Sequence, residues 1–516
     1  MEKDWNGESV VILDFGSQYT QLIARRVRAE HVFSVILPHS STLDEIRAEK
    51  PRGIILSGGP ATVTDDEAPG LPADIFSLGV PILGICYGMQ LISQLRGAVV
   101  EKADHREYGH TVIDTDTANP LFAGTPGSQR VWMSHGVRVK TLPEGFRTVA
   151  SSTGCPIAAM YSDRERIYGL QFHPEVFHTD HGTQILHNFL FEICGCEPVW
   201  SSRSFVELEV ERIRERVGGD RVLCAVSGGV DSSVMAALVD RAIGGQLCPV
   251  FVDNGLLREG EAEEVRGMLS ECLTSELVFI DASEEFLARL AGVENPEKKR
   301  KIIGTTFIEV FERASQRHGP FLFLAQGTLY PDVIESRSTV GPSATIKSHH
   351  NVGGLPETMR FELIEPLSLL FKDEVREVGR YLGLPERQIG RHPFPGPGLA
   401  VRVPGAVTRE DLDLLRKVDR IFINGLRREG LYDEVWQAFS VLLPVRSVGV
   451  MGDERTYQKA AVLRAVTSMD GMTADWARLP YGFLQDISNE IINKVDGVNR
   501  VVYDISSKPP STIEWE

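Results

Sequence analysis

The chain of 516 residues is too long for one ordinary hydrophobic core, and its length predicts about three domains. Its net charge of −17 argues against nucleic-acid or membrane binding, and no apolar run approaches the roughly 18 residues that span a bilayer. Because there is no signal-peptide pattern and the seven cysteines have no framework spacing, we expect a cytoplasmic protein.

Residues 1–198 are predicted to form a first domain in which strands alternate with helices. The apolar run at 9–14 is typical of a parallel strand buried on both faces, and further strands are predicted at 32–37, 53–56 and 81–85. This alternation predicts a doubly wound parallel sheet of the α/β class. Ligands of such sheets bind at the carboxyl ends of the strands.

A cysteine follows the fourth predicted strand, in the sequence GICYG at 84–88, and a helix is predicted directly after it. Glycines two residues before and after Cys86 allow the sharp turn of a nucleophile elbow. The elbow lifts the sulfur above the sheet edge, at a helix N-terminus that favours the thiolate. A lone cysteine is more often a buried structural residue, but strand, turn and helix together predict a nucleophile here.

A thiolate nucleophile needs a base and a group that orients the base. His173 and Glu175 follow a predicted strand at 169–172, and side chains one residue apart in extended chain point the same way. His173 is therefore predicted to face Cys86 while Glu175 orients the imidazole. The alternatives are a surface histidine beside a capping glutamate, and a metal cluster with the histidines at 178, 181 and 187, whose spacing is poor for that purpose.

The sequences SGGP at 57–60, GICYG at 84–88 and QFHPE at 171–175 resemble the class I glutamine amidotransferases, over nearly all of residues 9–193. The resemblance implies that Cys86 attacks the carboxamide of glutamine, with His173 as base and Glu175 as its orienting group. It also implies an oxyanion hole and a glutamine pocket. The residues implied for these are Gly58 and Gly59 in the oxyanion hole, and Gln90, Ser134 and His135 in the pocket.

A glycine-rich loop opens the second predicted domain, residues 199–395, between a strand at 221–226 and a helix at 234–243. Such a turn directs backbone N–H groups toward one spot at the positive end of a helix dipole, which suits a phosphate or pyrophosphate. The spacing is not that of the common P-loop, and the loop has no lysine. From its glycines alone it is equally a capped turn that begins a helix. The loop consists of Ser227, Gly228, Gly229, Val230, Asp231, Ser232 and Ser233.

The full string SGGVDSS resembles the pyrophosphate loop of the ATP pyrophosphatases, which adenylate an oxygen and release pyrophosphate. Further strands at 246–252, 277–280 and 321–325 predict a second parallel sheet, with adenine near Val252, Asp253 and Gly327. A long helix is predicted at 295–317, and its basic run at 298–301 is interpreted as a solvated face.

Residues 328–355 are predicted to be a long irregular segment, of the kind that often forms a lid or binding loop. Asp332 and Glu335 are predicted, with Asp231, to position a Mg²⁺ ion that accompanies ATP. Lys347 and Lys372 are candidates to contact the phosphates, in place of the lysine that the loop lacks.

Residues 396–516 are predicted to form a small α+β domain, after a proline-rich connector at 392–404. Helices are predicted at 409–425 and 481–495, and strands at 435–443, 446–450, 459–466 and 500–505. The C-terminal tail places Ile513 and Trp515 where chains usually fray. This pattern predicts that the tail is buried, against a site or another subunit.

The order of these parts, with FPGPGLAVR at 394–402 and KPPSTIEWE at 508–516, resembles the family of glutamine-hydrolysing GMP synthases. The resemblance covers the whole chain. It implies that glutamine, ATP and XMP are the substrates, and that the third domain mediates homodimerisation and helps to bind XMP. The XMP-binding residues it implies are Arg402, Lys508, Thr512, Ile513 and Glu514.

Two kinds of alternative remain at this point. The same modules occur in other glutamine-dependent adenylating ligases, such as an NAD synthetase, or in an enzyme that thiolates tRNA bases. The acidic net charge disfavours tRNA, and an NAD synthetase would not need the C-terminal tail. A non-catalytic regulatory protein with a dead amidotransferase is the other alternative, and the complete set of Cys86, His173 and Glu175 argues against it.

Overall fold

The structure is a computed structural model that describes residues 8–65, 67–72, 74–337, 361–451, 454–468 and 473–516. The described residues form two compact units. The first holds those up to Leu208 together with 331–337, and the second holds the remainder. No helix in the described ranges is long and apolar enough to cross a membrane.

The first unit is organised around a nine-stranded sheet with the order β2-β1-β3-β4-β9-β8-β7-β5-β6. The strands from β2 to β9 along this order are parallel, and those from β9 to β6 are antiparallel. Its elements are β1 (Ser9–Asp14), α1 (Thr20–Ala29), β2 (Ser34–Pro38), α2 (Leu43–Ala48), β3 (Pro51–Leu56), β4 (Ile82–Ile85), α3 (Tyr87–Leu95), β5 (Val100–Thr115), β6 (Ser128–Val139), β7 (Arg147–Ser151), β8 (Ala159–Ser162), β9 (Ile167–Leu170) and α4 (Gly182–His187).

The second unit contains a five-stranded parallel sheet, in the order β12-β11-β10-β13-β14, and a smaller four-stranded sheet in which β15, β17 and β18 pair with β16. The unit boundary falls within α5, and α10 begins at the second boundary. The remaining elements are α5 (Ser202–Val217), β10 (Val222–Ala225), α6 (Val230–Ile243), β11 (Leu247–Asp253), α7 (Glu261–Cys272), β12 (Val278–Asp281), α8 (Ser283–Leu290), α9 (Pro296–His318), β13 (Phe323–Ala325), α10 (Tyr330–Arg337), β14 (Glu362–Ile364), α11 (Lys372–Tyr381), α12 (Glu386–Ile389), α13 (Arg409–Arg428), β15 (Gln437–Met451), β16 (Glu454–Thr467), β17 (Asp475–Trp476), α14 (Tyr481–Lys494) and β18 (Val498–Tyr503).

One continuous hydrophobic core joins the two sheets of the second unit. It contains Leu223 and Val250 from the parallel sheet together with Phe422 and Leu463 from the smaller sheet and its helix. Burying these side chains stabilises the unit by roughly 1.5–3 kcal/mol each. The boundary at 395/396 between the second and third domains therefore stays a prediction.

The fold class is confirmed as α/β with parallel-rich sheets and a smaller C-terminal sheet. The antiparallel half of the first sheet, β5 to β8, was not predicted. The strands predicted at 435–443 and 446–450 form the single strand β15, with an irregularity in its pairing between Leu442 and Arg446.

Two predictions about the second domain are wrong. Helix α10 occupies part of the segment predicted to be irregular. Lys299, predicted to lie on a solvated face, is fully buried. Its Nζ donates to Ala400 O at 3.0 Å and to Val403 O at 2.8 Å, and forms an ion pair with Glu516 at 2.5 Å. Contacts with residues a hundred or more positions away thus decide where this lysine lies.

Candidate functional site

The turn at Cys86 between β4 and α3 has the geometry of an elbow. Cys86 has φ 51° and ψ −102°, a conformation that costs a non-glycine residue about 1–3 kcal/mol. A Cβ on Gly84 would lie 2.6 Å from the carbonyl carbon of Gly88, and one on Gly88 would lie 2.5 Å from Leu56 O. Both flanking positions therefore require glycine, and the turn holds the sulfur at the carboxyl end of the sheet.

His173 and Glu175 form a buried hydrogen-bonded pair near this sulfur. Glu175 Oε1 lies 2.7 Å from His173 Nδ1, and the Glu175 side chain is completely buried. Its second oxygen, Oε2, has no hydrogen-bond partner, so His173 is the main compensation of the carboxylate charge. The Tyr19 ring packs edge-on against the imidazole at 5.1 Å, and Arg26 Nε donates to Glu175 O at 3.0 Å.

The pKa of His173 lies well above its ordinary value. Burial alone would lower this pKa, but the charge of Glu175 and interactions with Cys86 and Glu175 outweigh it. The environment therefore favours an imidazolium between the thiol and the carboxylate. A neutral imidazole at this position readily takes a proton from the nucleophile, and the imidazolium so formed can give that proton to a leaving amine.

The other predicted residues of the amidotransferase site gather around Cys86 and His173. A Cβ on Gly58 would lie 3.2 Å from His173 Cε1, which places the Gly58 backbone against the imidazole. Ser134 O lies 3.8 Å from Cys86 Sγ. Gln90 Nε2 donates to Val137 O at 2.8 Å.

The contacts of Gly59 and His135 are with residues other than Cys86 and His173. A Cβ on Gly59 would meet Phe15 O at 2.7 Å, so this glycine lets β1 and the turn after β3 approach closely. The His135 side chain is buried beside Glu107, with Nε2 3.2 Å from Glu107 Oε2. Burial lowers the pKa of His135 to about 4, so its ring is neutral near pH 7.

The SGGVDSS loop lies between β10 and α6 and is closed by its own serines. Ser227 Oγ and Ser232 Oγ are 3.0 Å apart, and Gly229 N donates to Ser227 Oγ at 3.3 Å. Gly228 has φ 79°, and a Cβ there would lie 2.7 Å from Val265. The loop therefore has one compact conformation, with Val230 to Ser233 forming the first turn of α6.

Asp231, Lys372 and Gly327 lie together at this loop. Lys372 Nζ is 3.7 Å from Asp231 Oδ2, whereas Asp231 Oδ1 is buried without a hydrogen-bond partner. The Cβ position of Gly327 is 4.0 Å from the Asp231 carbonyl carbon. Strands β11 and β13 pair in parallel with β10 on either side, so Val252 and Gly327 flank the loop at one edge of the sheet.

Asp253 is directed elsewhere. Its Oδ1 accepts a hydrogen bond from Gly255 N at 2.9 Å, and burial raises the pKa of the carboxyl. It lines a cavity of about 300 Å³ with Arg416, Ser283 and other residues on the β12 side of the sheet. Its predicted contact with adenine stays a prediction.

The three predicted lid residues are Asp332, Glu335 and Lys347. Asp332 and Glu335 lie on α10, in the part that groups with the first unit, and Lys347 lies outside the described residues. Their proposed contacts with Mg²⁺ and phosphate stay predictions.

Four of the five predicted XMP-binding residues belong to a docked C-terminal tail, and the fifth, Arg402, contacts this tail. Fully buried Arg402 donates to both carboxylate oxygens of Glu514, at 3.1 and 2.8 Å, while its Nη1 has no hydrogen-bond partner. Ile513 is buried in an apolar cluster with Phe439, and Lys508 forms a backbone bridge to Ala474. Thr512 O accepts from Arg464 Nη2 at 3.0 Å.

Sequence reasoning missed several residues that support these sites. Gln171 Nε2 lies 3.7 Å from Cys86 Sγ; its motif was noted, but no role was assigned to it. Gln388 Nε2 donates to Gly228 O at 2.8 Å and Ser233 Oγ at 3.0 Å, and Arg391 Nη1 also donates to Gly228 O at 3.0 Å. Gln388 and Arg391 lie more than a hundred residues after the loop, so no local pattern indicates their roles.

Comparisons with known proteins cover the same regions. The family described as Glutamine amidotransferase class-I matches residues 11–193, and the GMP synthase C terminal domain family matches residues 424–515. The chain is 58% identical over 512 residues to the GMP synthase (glutamine-hydrolyzing) of Thermomicrobium roseum, covering 99% of this chain and 97% of that protein. The proteins of the same name from Wolinella succinogenes and Chlorobium chlorochromatii are 57% and 58% identical, over 98% and 99% of this chain and 98% and 100% of their own lengths.

Proposed function

This chain belongs to the family of glutamine-hydrolysing GMP synthases, and we propose on that basis that it aminates XMP to GMP with ATP and with ammonia released from glutamine. The observation that carries the proposal is the identity of 57–58% along essentially the whole chain. Sequence identity at this level along the whole chain disfavours both alternatives, the NAD synthetase and the non-catalytic regulatory protein. The reaction is Gln + XMP + ATP + H₂O → Glu + GMP + AMP + PPi.

We assign glutamine hydrolysis to Cys86, His173 and Glu175. The Cys86 thiol gives its proton to His173 as sulfur attacks the carboxamide carbon, and the imidazolium returns the proton to the departing ammonia. Water then hydrolyses the glutamyl thioester and regenerates the thiol. Glu175 orients the imidazole and stabilises its charged form, as their 2.7 Å contact supports. The backbone N–H groups of Gly58 and Gly59 would hold the oxyanion, and Gln90, Ser134 and His135 would line the glutamine pocket.

We assign ATP binding to the Ser227–Ser233 loop and adenylation of XMP to the site beside it. A purine carbonyl oxygen is a poor leaving group, and transfer of AMP to that oxygen makes it a good one while pyrophosphate leaves. Ammonia then displaces AMP. Lys372, 3.7 Å from Asp231, would neutralise charge on the pyrophosphate.

Mg²⁺ is proposed as the ion that accompanies ATP and offsets charge on the departing pyrophosphate. The buried, unpartnered Oδ1 of Asp231 fits this ion, because a carboxylate oxygen without a hydrogen bond is a suitable ligand for a hard cation. Asp332 and Glu335 are proposed as the other ligands.

A homodimer through the third predicted domain is also proposed. Val448 and Tyr457 are directly paired across β15 and β16, and with Val450 they are 49%, 64% and 72% exposed. Large apolar side chains exposed on one face of a sheet are typical of an interface. We further propose that the enzyme works in the cytoplasm and that the XMP site includes Arg402 and the tail residues Lys508, Thr512, Ile513 and Glu514.

The test is AMP formation by the full-length protein with XMP, Mg-ATP and either glutamine or ammonia. Cys86→Ala is expected to abolish the glutamine-dependent rate and to leave the ammonia-dependent rate unchanged. AMP formation with deamido-NAD but not with XMP would refute the assignment. Loss of both rates in a folded Cys86→Ala variant would refute the division of labour.

A further inference from the structure

Three side chains with metal-binding groups meet next to the amidotransferase thiol, and only His135 has a role above, as a lining residue of the proposed glutamine pocket. Glu107 on β5 and His135 on β6 are directly paired residues of the antiparallel sheet, and Cys155 lies in the turn after β7. One ligand atom from each lies within 4.8 Å of the other two. We propose that Glu107, His135 and Cys155 form a binding site for Zn²⁺ or a similar thiophilic divalent cation.

The donor atoms are buried and poorly satisfied by the protein. Oε2 of Glu107 is buried without a hydrogen-bond partner, and the ring nitrogens of His135 are buried with no well-aligned one, the Val137 backbone being the nearest. Nε2 and Oε2 are only 3.2 Å apart, but they are not aligned as a hydrogen bond. The His135 side chain is 2% exposed. Buried polar groups almost always have a hydrogen-bond partner. Several poorly paired polar atoms that point to one place therefore indicate that a bound ion would complete their interactions.

The spacing of these atoms fits a tetrahedral ion. Zn–N and Zn–O bonds of about 2.0–2.1 Å and Zn–S bonds of about 2.3 Å place neighbouring donors roughly 3.3–3.6 Å apart. The separation of 3.2 Å between His135 and Glu107 is already close to this value.

The third ligand is held by an ordered turn. Cys155 N donates to Ser152 Oγ at 3.0 Å, and Ser152 N donates to Cys155 O at 2.9 Å. The thiol donates one hydrogen bond, to Ile157 O at 3.4 Å. Rotation of the Cys155 side chain can direct the sulfur toward the other two groups.

The nearest cation does not prevent binding. Arg138 Nη1 donates to Gly154 O at 3.0 Å, and its Nη2 lies 3.2 Å from Glu101. The Glu101 carboxylate thus compensates part of the Arg138 charge. Glu107 and Cys155 would supply the negative charge that a bound divalent cation requires.

Binding is expected to inhibit glutamine hydrolysis. His135 directly follows Ser134, whose carbonyl oxygen lies 3.8 Å from Cys86 Sγ. A cation that draws the side chains of His135 and Cys155 together would shift this part of strand β6 and disturb the Cys86 thiol, while ammonia-dependent amination would proceed. This effect rests on the proposed function, whereas cation binding itself does not.

The first experiment measures binding with Co²⁺, whose bond to sulfur gives a charge-transfer absorption band. Metal-free full-length protein carrying Cys86→Ala is used, so that the catalytic thiol cannot contribute. The band is expected in this parent, lost when Cys155→Ser is added, and retained with the matched control Cys194→Ser, another buried cysteine of the same unit. No band in the parent, or an equal band with Cys155→Ser, overturns the proposal.

Glu107→Gln gives a second test in the same parent, because it preserves the shape of the side chain. Zn²⁺ competing for the bound Co²⁺ is expected to bind this variant at least about tenfold more weakly. Unchanged Zn²⁺ affinity overturns the ligand set.

The second experiment uses protein with Cys86 intact. Zn²⁺ is expected to inhibit glutamine-dependent AMP formation, to spare the ammonia-dependent rate, and to inhibit Cys155→Ser at least about tenfold less. Equal inhibition of both forms overturns the inhibitory role. A protein that binds Co²⁺ through Cys155 but forms no AMP with XMP contradicts the proposed function alone, and an active protein without the band contradicts the metal site alone.

Discussion

Replacing Glu175 by glutamine tests how the buried carboxylate prepares His173 for catalysis. The two groups are 2.7 Å apart and both are buried. A hydrogen bond that involves a charged group is worth about 1.5–3 kcal/mol, and each 1.4 kcal/mol or so changes a rate about tenfold. Weakening this contact is therefore expected to lower glutamine hydrolysis by about 10- to 150-fold.

The tautomer of His173 sets the upper bound. A glutamine amide can donate to Nδ1, which would leave the proton on Nε2 and remove the lone pair that has to accept the proton of Cys86. The equivalent change in a serine protease triad lowers kcat by about 10⁴-fold. A loss of about 10- to 150-fold in glutamine hydrolysis would mean that only the charged hydrogen bond is weakened. A loss that approaches about 10⁴-fold would indicate the wrong tautomer of His173.

The pH dependence is expected to change with the rate. Burial lowers the pKa of His173, while the charge of Glu175 and the neighbouring thiol raise it, and the result is well above the ordinary value. Removing the carboxylate charge therefore lowers the pKa. Because the imidazolium protonates the departing ammonia, the alkaline limb of kcat/KM for glutamine is expected to move to lower pH.

The assay is glutamate formation by the full-length enzyme with XMP and Mg-ATP, compared with ammonia-dependent AMP formation. Glu30→Gln is the matched control, since Glu30 pairs with His187 at 2.8 Å outside the site. An unchanged glutamine-dependent rate in Glu175→Gln, or a parallel fall of the ammonia-dependent rate, would refute the reasoning.

Three further substitutions test the supports of the sites. Gly88→Ala would place a Cβ 2.5 Å from Leu56 O, and is expected to abolish glutamine hydrolysis and to lower the free energy of unfolding by about 1–3 kcal/mol in urea. Lys299→Met leaves Glu516 without its partner, and is expected to cost about 3–5 kcal/mol in the same measurement. Gln388→Ala removes both hydrogen bonds that Gln388 donates to the ATP loop, and is expected to raise the KM for ATP about tenfold, measured as pyrophosphate release with ammonia.

Each of these three substitutions has a control substitution at a position that lacks the contact being tested. A Cβ on Gly127 meets nothing within 4 Å, and Lys301 and Arg387 are exposed. Gly127→Ala, Lys301→Met and Arg387→Ala are expected to behave as the unsubstituted enzyme. A substitution that matches its control in the relevant measurement would contradict the role given to the buried residue.

Local patterns predicted much of the framework of the fold. Strand β1, the elbow at Cys86 and the loop before α6 were predicted from apolar runs and glycine spacing, because their conformations depend on residues within a few positions. The pairing of Cys86 with His173 could be proposed only because both follow strands of one predicted sheet. The strands β5 to β7 were missed because many of their residues face water, which weakens the apolar signal, and β8 was missed because it has only four residues.

Local patterns could not predict the roles of residues whose contacts lie far away along the sequence. The basic run at 298–301 has the composition of a solvated helix face, yet Lys299 is buried because its acceptors are carbonyls at 400 and 403 and the carboxylate of Glu516. The support that Gln388 gives to the ATP loop is equally invisible, since one buried glutamine on a short helix has no local signature.

The C-terminal tail shows why burial of charge and ligand binding belong together in this unit. Lys299, Arg402 and Arg464 are all fully buried, and removing each charge from water costs several kcal/mol unless it is compensated. The compensation comes mainly from the tail and its surroundings. Glu516 pairs with Lys299, and Glu514 pairs with Arg402. Arg464 donates to carbonyl groups of the tail and pairs with Asp504. The tail therefore has to dock for the unit to be stable. One donor, Nη1 of Arg402, still lacks an acceptor, and an oxygen of the proposed nucleotide would satisfy it.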